Sequence, residues 1–190
     1  MDTDVTEFIQ GVWELPKEVL EEFCKSFQLL DIPKDYFLLR EGKVCKHIWV
    51  IHRGLVRHFY TDEKGKERNT WFSAEYSFTS NVISLLNQNA SRESIQLLED
   101  SIIYAIPQAT ITALQQKHHS FCRWYIKMLE SFYFAQIDQR VDELQFLNAT
   151  ERYHNLLERA PTFSRRISLG NISSYLNISQ ETLSRIRSGK

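Results

Sequence analysis

The apolar residues change their period twice along the chain, which restricts it to a β-rich unit flanked on both sides by helices. Within residues 5–30, Val5, Phe8, Ile9 and Val12, then Val19, Leu20, Phe23 and Phe27, recur at three- and four-residue spacing with a break at Pro16, and predict helix. From Tyr36 to Ile106 the pattern becomes short apolar runs separated by turn residues. Phe37-Leu38-Leu39, Ile48 to Ile51, Leu55 to Tyr60, Asn69 to Phe72, Ser94 to Leu98 and Ile102 to Ile106 are strand-length and rich in β-branched or aromatic side chains. Thr61 to Lys66 reads as a hairpin turn in which Gly65 supplies a positive φ. Short strands at this spacing indicate a sandwich or barrel.

After Pro107 the helical period returns, in a short segment from Ala109 to Lys117 and a long one from about Ser120 to Leu147. Along the long one Phe121, Tyr125, Met128, Leu129, Phe132, Ala135, Ile137, Val141 and Leu144 form a stripe broader than one sandwich covers. Part of it is expected to pair with the same helix of a second chain in a two-fold homodimer. Asn148 and Glu151 have capping-box spacing and predict a new helix to about Arg159, ended by Pro161. The chain thus divides into residues 1–119, 120–147 and 148–190.

In residues 168–187 the apolar positions Ile172, Leu176, Ile178, Leu183 and Ile186 describe two helices closing on each other. Ser173 is small where the helices meet, Asn177 tolerates the left-handed turn, Ser179 caps the second helix and Glu181 complements its dipole. Gln180, Glu181, Ser184 and Arg185 remain on an exposed face with base-reading chemistry: Arg185 can fork onto guanine, Glu181 can accept from cytosine and Gln180 can pair with adenine. Ser168, Ser179, Thr182 and Arg187 suit phosphate oxygens, with Arg165, Arg166 and Lys190 further out. Charge supports the division, since residues 148–190 carry seven Lys/Arg against three acidic residues while the remainder is net −5.

Other classes lose ground on composition. No apolar run approaches the roughly 18 residues of a membrane helix, and the acidic start Met1-Asp2-Thr3-Asp4 is unlike a secretory signal, so a cytoplasmic protein is expected. Cys24, Cys45 and Cys122 are too few and too scattered for an iron–sulfur or zinc site. A cupin-type metal enzyme is the remote alternative, but the six histidines include no His-x-His pair, and neither a phosphate loop nor a nucleophile elbow is present. The expectation is a non-enzyme with no metal and no evident cofactor. A small-ligand sensing module that regulates a protein partner is the other alternative.

The segment Ile178-Ser179-Gln180-Glu181-Thr182-Leu183-Ser184-Arg185-Ile186 closely resembles the recognition-helix motif of the Crp/Fnr superfamily of transcription regulators. The resemblance extends to the order of segments, with Arg40-Glu41-Gly42 and Arg53-Gly54 at glycine-marked turns. It implies an α+β fold: an N-terminal β jelly-roll of the cyclic-nucleotide-binding type, a long dimerisation helix and a small winged helix-turn-helix. It also implies that Gln180, Glu181 and Arg185 contact bases in double-stranded DNA, that a homodimer reads an inverted repeat, and that RNA polymerase is a partner. Position 180, commonly arginine in the family, is glutamine here, so the operator sequence stays open. Any wing is expected from residues 162–167, where Arg165 and Arg166 would meet the DNA backbone.

The family's usual ligand, cyclic AMP, requires a Gly-Glu pair and an Arg-Ser pair. This chain instead has Glu75-Tyr76-Ser77-Phe78-Thr79-Ser80 and Ala90-Ser91-Arg92-Glu93-Ser94. An effector pocket would fall on Glu75, Ser91, Arg92 and Ser94, but the missing glycine and the Glu93 carboxylate disfavour a cyclic nucleotide.

Overall fold

The computed structural model describes residues 1–189, so Lys190 lies outside the described residues. Helices α1 (Thr3–Val12) and α2 (Lys17–Lys25) lead into a β jelly-roll. Its strands are β1 (Gln28–Ile32), β2 (Phe37–Leu39), β3 (His47–Arg53), β4 (Val56–Thr61), β5 (Glu67–Ser73), β6 (Ser77–Thr79), β7 (Ser94–Leu97) and β8 (Ser101–Pro107), with α3 (Val82–Asn87) between β6 and β7. They pair antiparallel in two four-stranded sheets, ordered β1-β8-β3-β6 and β2-β7-β4-β5.

Residues 28–30, expected to be helical, belong instead to strand β1, paired in register from Gln28 with Ala105 to Ile32 with Ser101. As an edge strand it turns only Leu30 and Ile32 inward, too few apolar positions for a period of two to stand out. In β3 the residues Ile48, Trp49, Val50 and Ile51 are all buried, because helices cover the outer face of this sheet. One tie in that layer is the Trp124 indole N–H, which donates to the Ile9 carbonyl at 2.8 Å. Gly54 joins β3 to β4 at φ +130°, and a Cβ there would stand 2.1 Å from Ser101 Oγ, so the closeness of the two chains admits only glycine.

Beyond β8 and α4 (Gln108–Lys117) runs the long helix, whose first half α5 (His119–Leu129) and second half α6 (Ala135–Phe146) are joined by a π-helical turn, Glu130–Phe134. Phe121, Trp124, Tyr125 and Met128 pack into the main core, whereas Ile126, Phe134, Ile137, Val141, Leu144 and Phe146 are exposed.

Asn148 and Glu151 form the capping box that starts α7 (Ala149–Arg159). Short α8 (Phe163–Arg166), then α9 (Leu169–Leu176) and α10 (Gln180–Ser188), complete the chain. The wing expected at residues 162–167 is therefore a helical turn, anchored by buried Phe163 and Ile167. A second core joins Tyr153, Leu156, Phe163, Ile172, Tyr175, Leu176 and Leu183 to Leu55 and Phe72 of the jelly-roll.

Candidate nucleic-acid interface and interior cavity

Helices α9 and α10 close on each other as their spacing predicts. Asn177 takes the left-handed conformation at φ 55°, and Ile178 N–H donates to the Ser173 carbonyl at 3.0 Å. Ser173 is buried at the crossing, and Leu183 is fully buried. Ser179 caps α10 by accepting from Thr182 N–H at 3.1 Å, and Ser168 caps α9 by accepting from Asn171 N–H at 3.2 Å. Gln180, Glu181, Ser184, Arg185 and Arg187 are all exposed. Glu181 is held below the usual carboxylate range by its own backbone N–H and by the Ser179 hydroxyl, so at neutral pH it is an ionised acceptor. Gln180 lies back toward α9, where a Cβ at Gly170 would be 3.2 Å from its Nε2.

The two arginines of α8 part company. Arg165 is exposed, as a phosphate contact requires. Arg166, expected at the DNA backbone, turns into the protein instead. It donates to both carboxylate oxygens of Glu75 at 2.8 and 2.7 Å, and to Glu99 at 2.5 Å. These bonds to Glu75, then to Glu99, raise the Arg166 guanidinium above its ordinary value. Carboxylates at this distance hold the cation more firmly than water would, so Arg166 is a strut between α8 and the jelly-roll.

A second junction uses the free edge of β5. The Ser174 hydroxyl accepts from Asn69 N–H at 3.0 Å and donates to the Glu67 carbonyl at 3.2 Å, standing in for the next strand. Asn69 Nδ2 reaches the carbonyl and the side chain of Asn171, both at 3.2 Å. Tyr175 fills the angle between Phe72 and Trp71 and lies under the Arg140 guanidinium, 3.9 Å from its ring. The sequence pattern missed Tyr175 because it was not counted among the apolar positions of α9. Its aromatic bulk beside Leu176 was the available signal.

Between the jelly-roll and the long helix lies a cavity of about 360 Å³. Tyr125, Met128, Leu129, Phe132 and Arg140 line it from the helix, facing Trp71 and Phe78. His58, also on the wall, shares a 2.7 Å hydrogen bond with Thr79, and burial pushes its imidazole below the ordinary value, only partly offset by Glu93. The residues expected around an effector are engaged elsewhere. Glu75 binds Arg166 and accepts from Gly54 N–H at 2.9 Å. The Ser91 hydroxyl donates to the Glu93 carbonyl and Ser94 accepts from Glu41 N–H, while Arg92 is exposed. Of that stretch it is Glu93, not Arg92, that reaches the cavity wall, presenting a carboxylate in place of a phosphate-binding arginine. Among the described residues no three His, Cys, Asp or Glu side chains gather to hold a metal ion, and no helix is long and apolar enough to cross a membrane.

A β jelly-roll, a long helix and a helical C-terminal region define the architecture. Residues 29–118 match the family model described as "Cyclic nucleotide-binding domain". Solved structures place the whole arrangement. FixK2 from Bradyrhizobium japonicum is similar at TM-score 0.73 and 16% identity over 86% of this chain and 83% of that one. The c-di-GMP responsive global regulator CLP of Xanthomonas campestris is similar at 0.69 and 14% over 92% and 91%. A CooA mutant from Carboxydothermus hydrogenoformans is similar at 0.68 and 16% over 100% and 84%. At such identities the likeness is one of fold. No curated protein sequence matches the chain.

Proposed function

We propose that this chain is a DNA-binding transcription regulator of the Crp/Fnr type, acting as a homodimer on an inverted-repeat operator and carrying a sensor domain whose ligand is not cyclic AMP. The observation that carries the reading is α10: a capped helix, seated on α9, whose outward face offers Gln180, Glu181, Ser184 and Arg185. These groups match the donor and acceptor pattern of the major groove, and Ser168, Ser179, Thr182, Arg165 and Arg187 surround them with phosphate-binding chemistry. The exposed stripe Ile137, Val141 and Leu144 supports pairing of two long helices. Ile137 and Val141 also line the cavity, so the second copy would cover its mouth. Two recognition helices would then enter successive major grooves about 34 Å apart. RNA polymerase as a further partner rests on the resemblance of the motif alone.

Signal transfer has a short physical path. Thr70 is the bulged residue between Asn69 and Trp71, skipped where β4 pairs with β5, and it faces the cavity. Its neighbour Asn69 holds α9. A ligand that moves the bulge therefore moves the attachment of the DNA-reading unit.

Selection of bound sequences from a random DNA pool, with wild type and Arg185→Ala in parallel, tests the reading. A two-fold-symmetric motif that is relaxed in the variant supports it. No enrichment at low salt with cell extract added overturns it.

A further inference from the structure

The cavity carries more polar chemistry than its apolar walls need. Tyr125, itself 5% exposed, has a hydroxyl with no hydrogen-bond partner, and the same holds for Thr70 Oγ1 and Arg140 Nη1; all three residues line the cavity. Buried polar atoms are almost always paired in folded proteins, so a cluster of orphans around one space points to a missing partner. Ile48, Phe78, Met128, Leu129 and Phe132 give the wall its hydrocarbon and aromatic part, while Ser73, Ser80, Asn81 and Gln136 add polar side chains. Both backbone irregularities of the region face this same space: the β-bulge at Thr70, and the π-turn that contributes Phe132 and Tyr133. Such insertions recur at binding sites because they re-aim side chains at the cost of regular hydrogen bonding.

Charge picks out one end. Glu143, only 3% exposed, meets Arg159 at 2.8 Å and Arg140 at 3.7 Å, so this cluster holds two cations for one anion. Arg140 spends Nη2 on the Tyr175 carbonyl, while Nη1, 3.7 Å from Glu143 Oε2, makes no hydrogen bond. An anion there would balance the cluster. Glu93 also lines the cavity, its carboxylate accepting from Asn81 at 3.2 Å, and would repel any anion seated directly beside it, which leaves the Arg140 side for an anionic group. Tyr125 and Arg140 are fifteen residues apart on the long helix, roughly 20 Å at a helical rise.

We propose that the cavity binds an elongated, mainly apolar monocarboxylic acid, with its carboxylate on Arg140 and Thr70 and its chain lying along Phe132, Leu129 and Met128 toward Tyr125. This deepens the reading of the jelly-roll as a sensor and rests on it. A volume of about 360 Å³ suits a small organic ligand. One negative charge matches the one cation that the Arg140–Glu143–Arg159 cluster leaves unbalanced, and a hydrocarbon chain matches Ile48, Phe78, Met128, Leu129 and Phe132.

Equilibrium dialysis of the full chain against radiolabelled tetradecanoate, competed with unlabelled tetradecanoate, tetradecanol or cyclic AMP, tests the assignment. The expected result is saturable binding, with the alcohol competing at least about tenfold more weakly than the acid and cyclic AMP not competing. Arg140→Gln should abolish the preference for acid over alcohol, and Met128→Trp, which fills the space, should abolish binding of both. Because Arg140 also braces Tyr175, Thr70→Val provides a second variant, expected to weaken the acid several-fold and the alcohol little, with circular dichroism checking the fold of each. Absence of saturable binding, binding untouched by Met128→Trp, or competition by cyclic AMP at the level of the acid overturns the proposal. If DNA selection succeeds while acid binding fails, this inference alone falls; acid binding by a chain that selects no DNA removes the regulator reading and leaves the cavity assignment standing.

Discussion

The Arg166 guanidinium grips the Glu75 carboxylate through two nearly parallel hydrogen bonds of 2.8 and 2.7 Å, fastening α8 to the turn between β5 and β6. Glu75 at the same time accepts from Gly54 N–H, so one carboxylate ties the C-terminal helices to two loops of the jelly-roll. The side chains are 22% and 29% exposed, which keeps the pair partly shielded from water. Charge-assisted bonds in that setting are worth about 2 kcal/mol. Arg166→Ala is expected to loosen the C-terminal helices without unfolding the jelly-roll, visible as faster amide exchange in α8 and α9 with β3 and β8 unchanged.

Acid should release the same strut. Burial raises the Glu75 pKa, but the Arg166 bonds and the Gly54 N–H outweigh it and leave the carboxyl below its ordinary value. A depressed carboxylate stabilises the fold fully above its unfolded pKa, near 4.5, and the contribution is lost as pH falls through the lower folded value. Comparing wild type with Glu75→Gln from pH 6 to 3, the difference in melting temperature should shrink as the pH drops. A constant difference would contradict this.

His58 titrates in a separate window. Its imidazole is buried against Thr79 and its pKa is lowered, by desolvation first, with Glu93 opposing. The unfolded chain therefore binds a proton that the folded one refuses, and stability from this residue is full above about pH 6.5 and declines as the pH falls below it. Thermal melts at pH 7.5 and 5.5 should show a smaller acid loss in His58→Asn than in wild type.

Gly54→Ala combines a φ of +130° with a clash against Ser101 Oγ and Cβ. Strain at such a position costs about 1–3 kcal/mol before the clash is counted. Chemical denaturation should show a loss of at least about 2 kcal/mol, and a neutral result would mean the turn has another conformation available.

Val141 and Leu144 test the pairing of long helices. Both are exposed, 43% and 47%, on α6. Replacing both with glutamate leaves the monomer core intact and would place like charges across the proposed two-fold interface. Sedimentation should show a dimer for wild type and a monomer for the double variant, with DNA affinity falling by at least about tenfold.

Local signals made the C-terminal unit legible: the Asn177 turn, the Ser179 cap and the Asn148–Glu151 box each involve residues a few positions apart, where chemistry and conformation are tightly linked. Longer-range choices were not. Arg166 has the chemistry of a phosphate contact, and only the fold brings Glu75 and Glu99 to it. Glu75 likewise looked like a ligand group until its partner was known. Strand β6 is three residues long and β1 is half exposed, so neither shows a period. The π-turn did leave a trace, since Tyr125, Leu129, Tyr133, Ile137 and Val141 line the cavity at uniform four-residue steps. A regular helix would carry the last of these about 160° around from the first.

That inserted residue makes the long helix unusually tolerant of one particular lesion. Deleting a single position within Glu130–Phe134 would let the segment relax into ordinary α-helix with its hydrogen bonds intact, while everything downstream kept nearly its present facing, because the wide turn absorbs about one residue. Val141 and Leu144 would keep the quarter they face now, drawn toward α5 by about 1.5 Å, the rise of one residue. A deletion, ordinarily destructive inside a helix, would here be absorbed by the turn that already holds one residue too many.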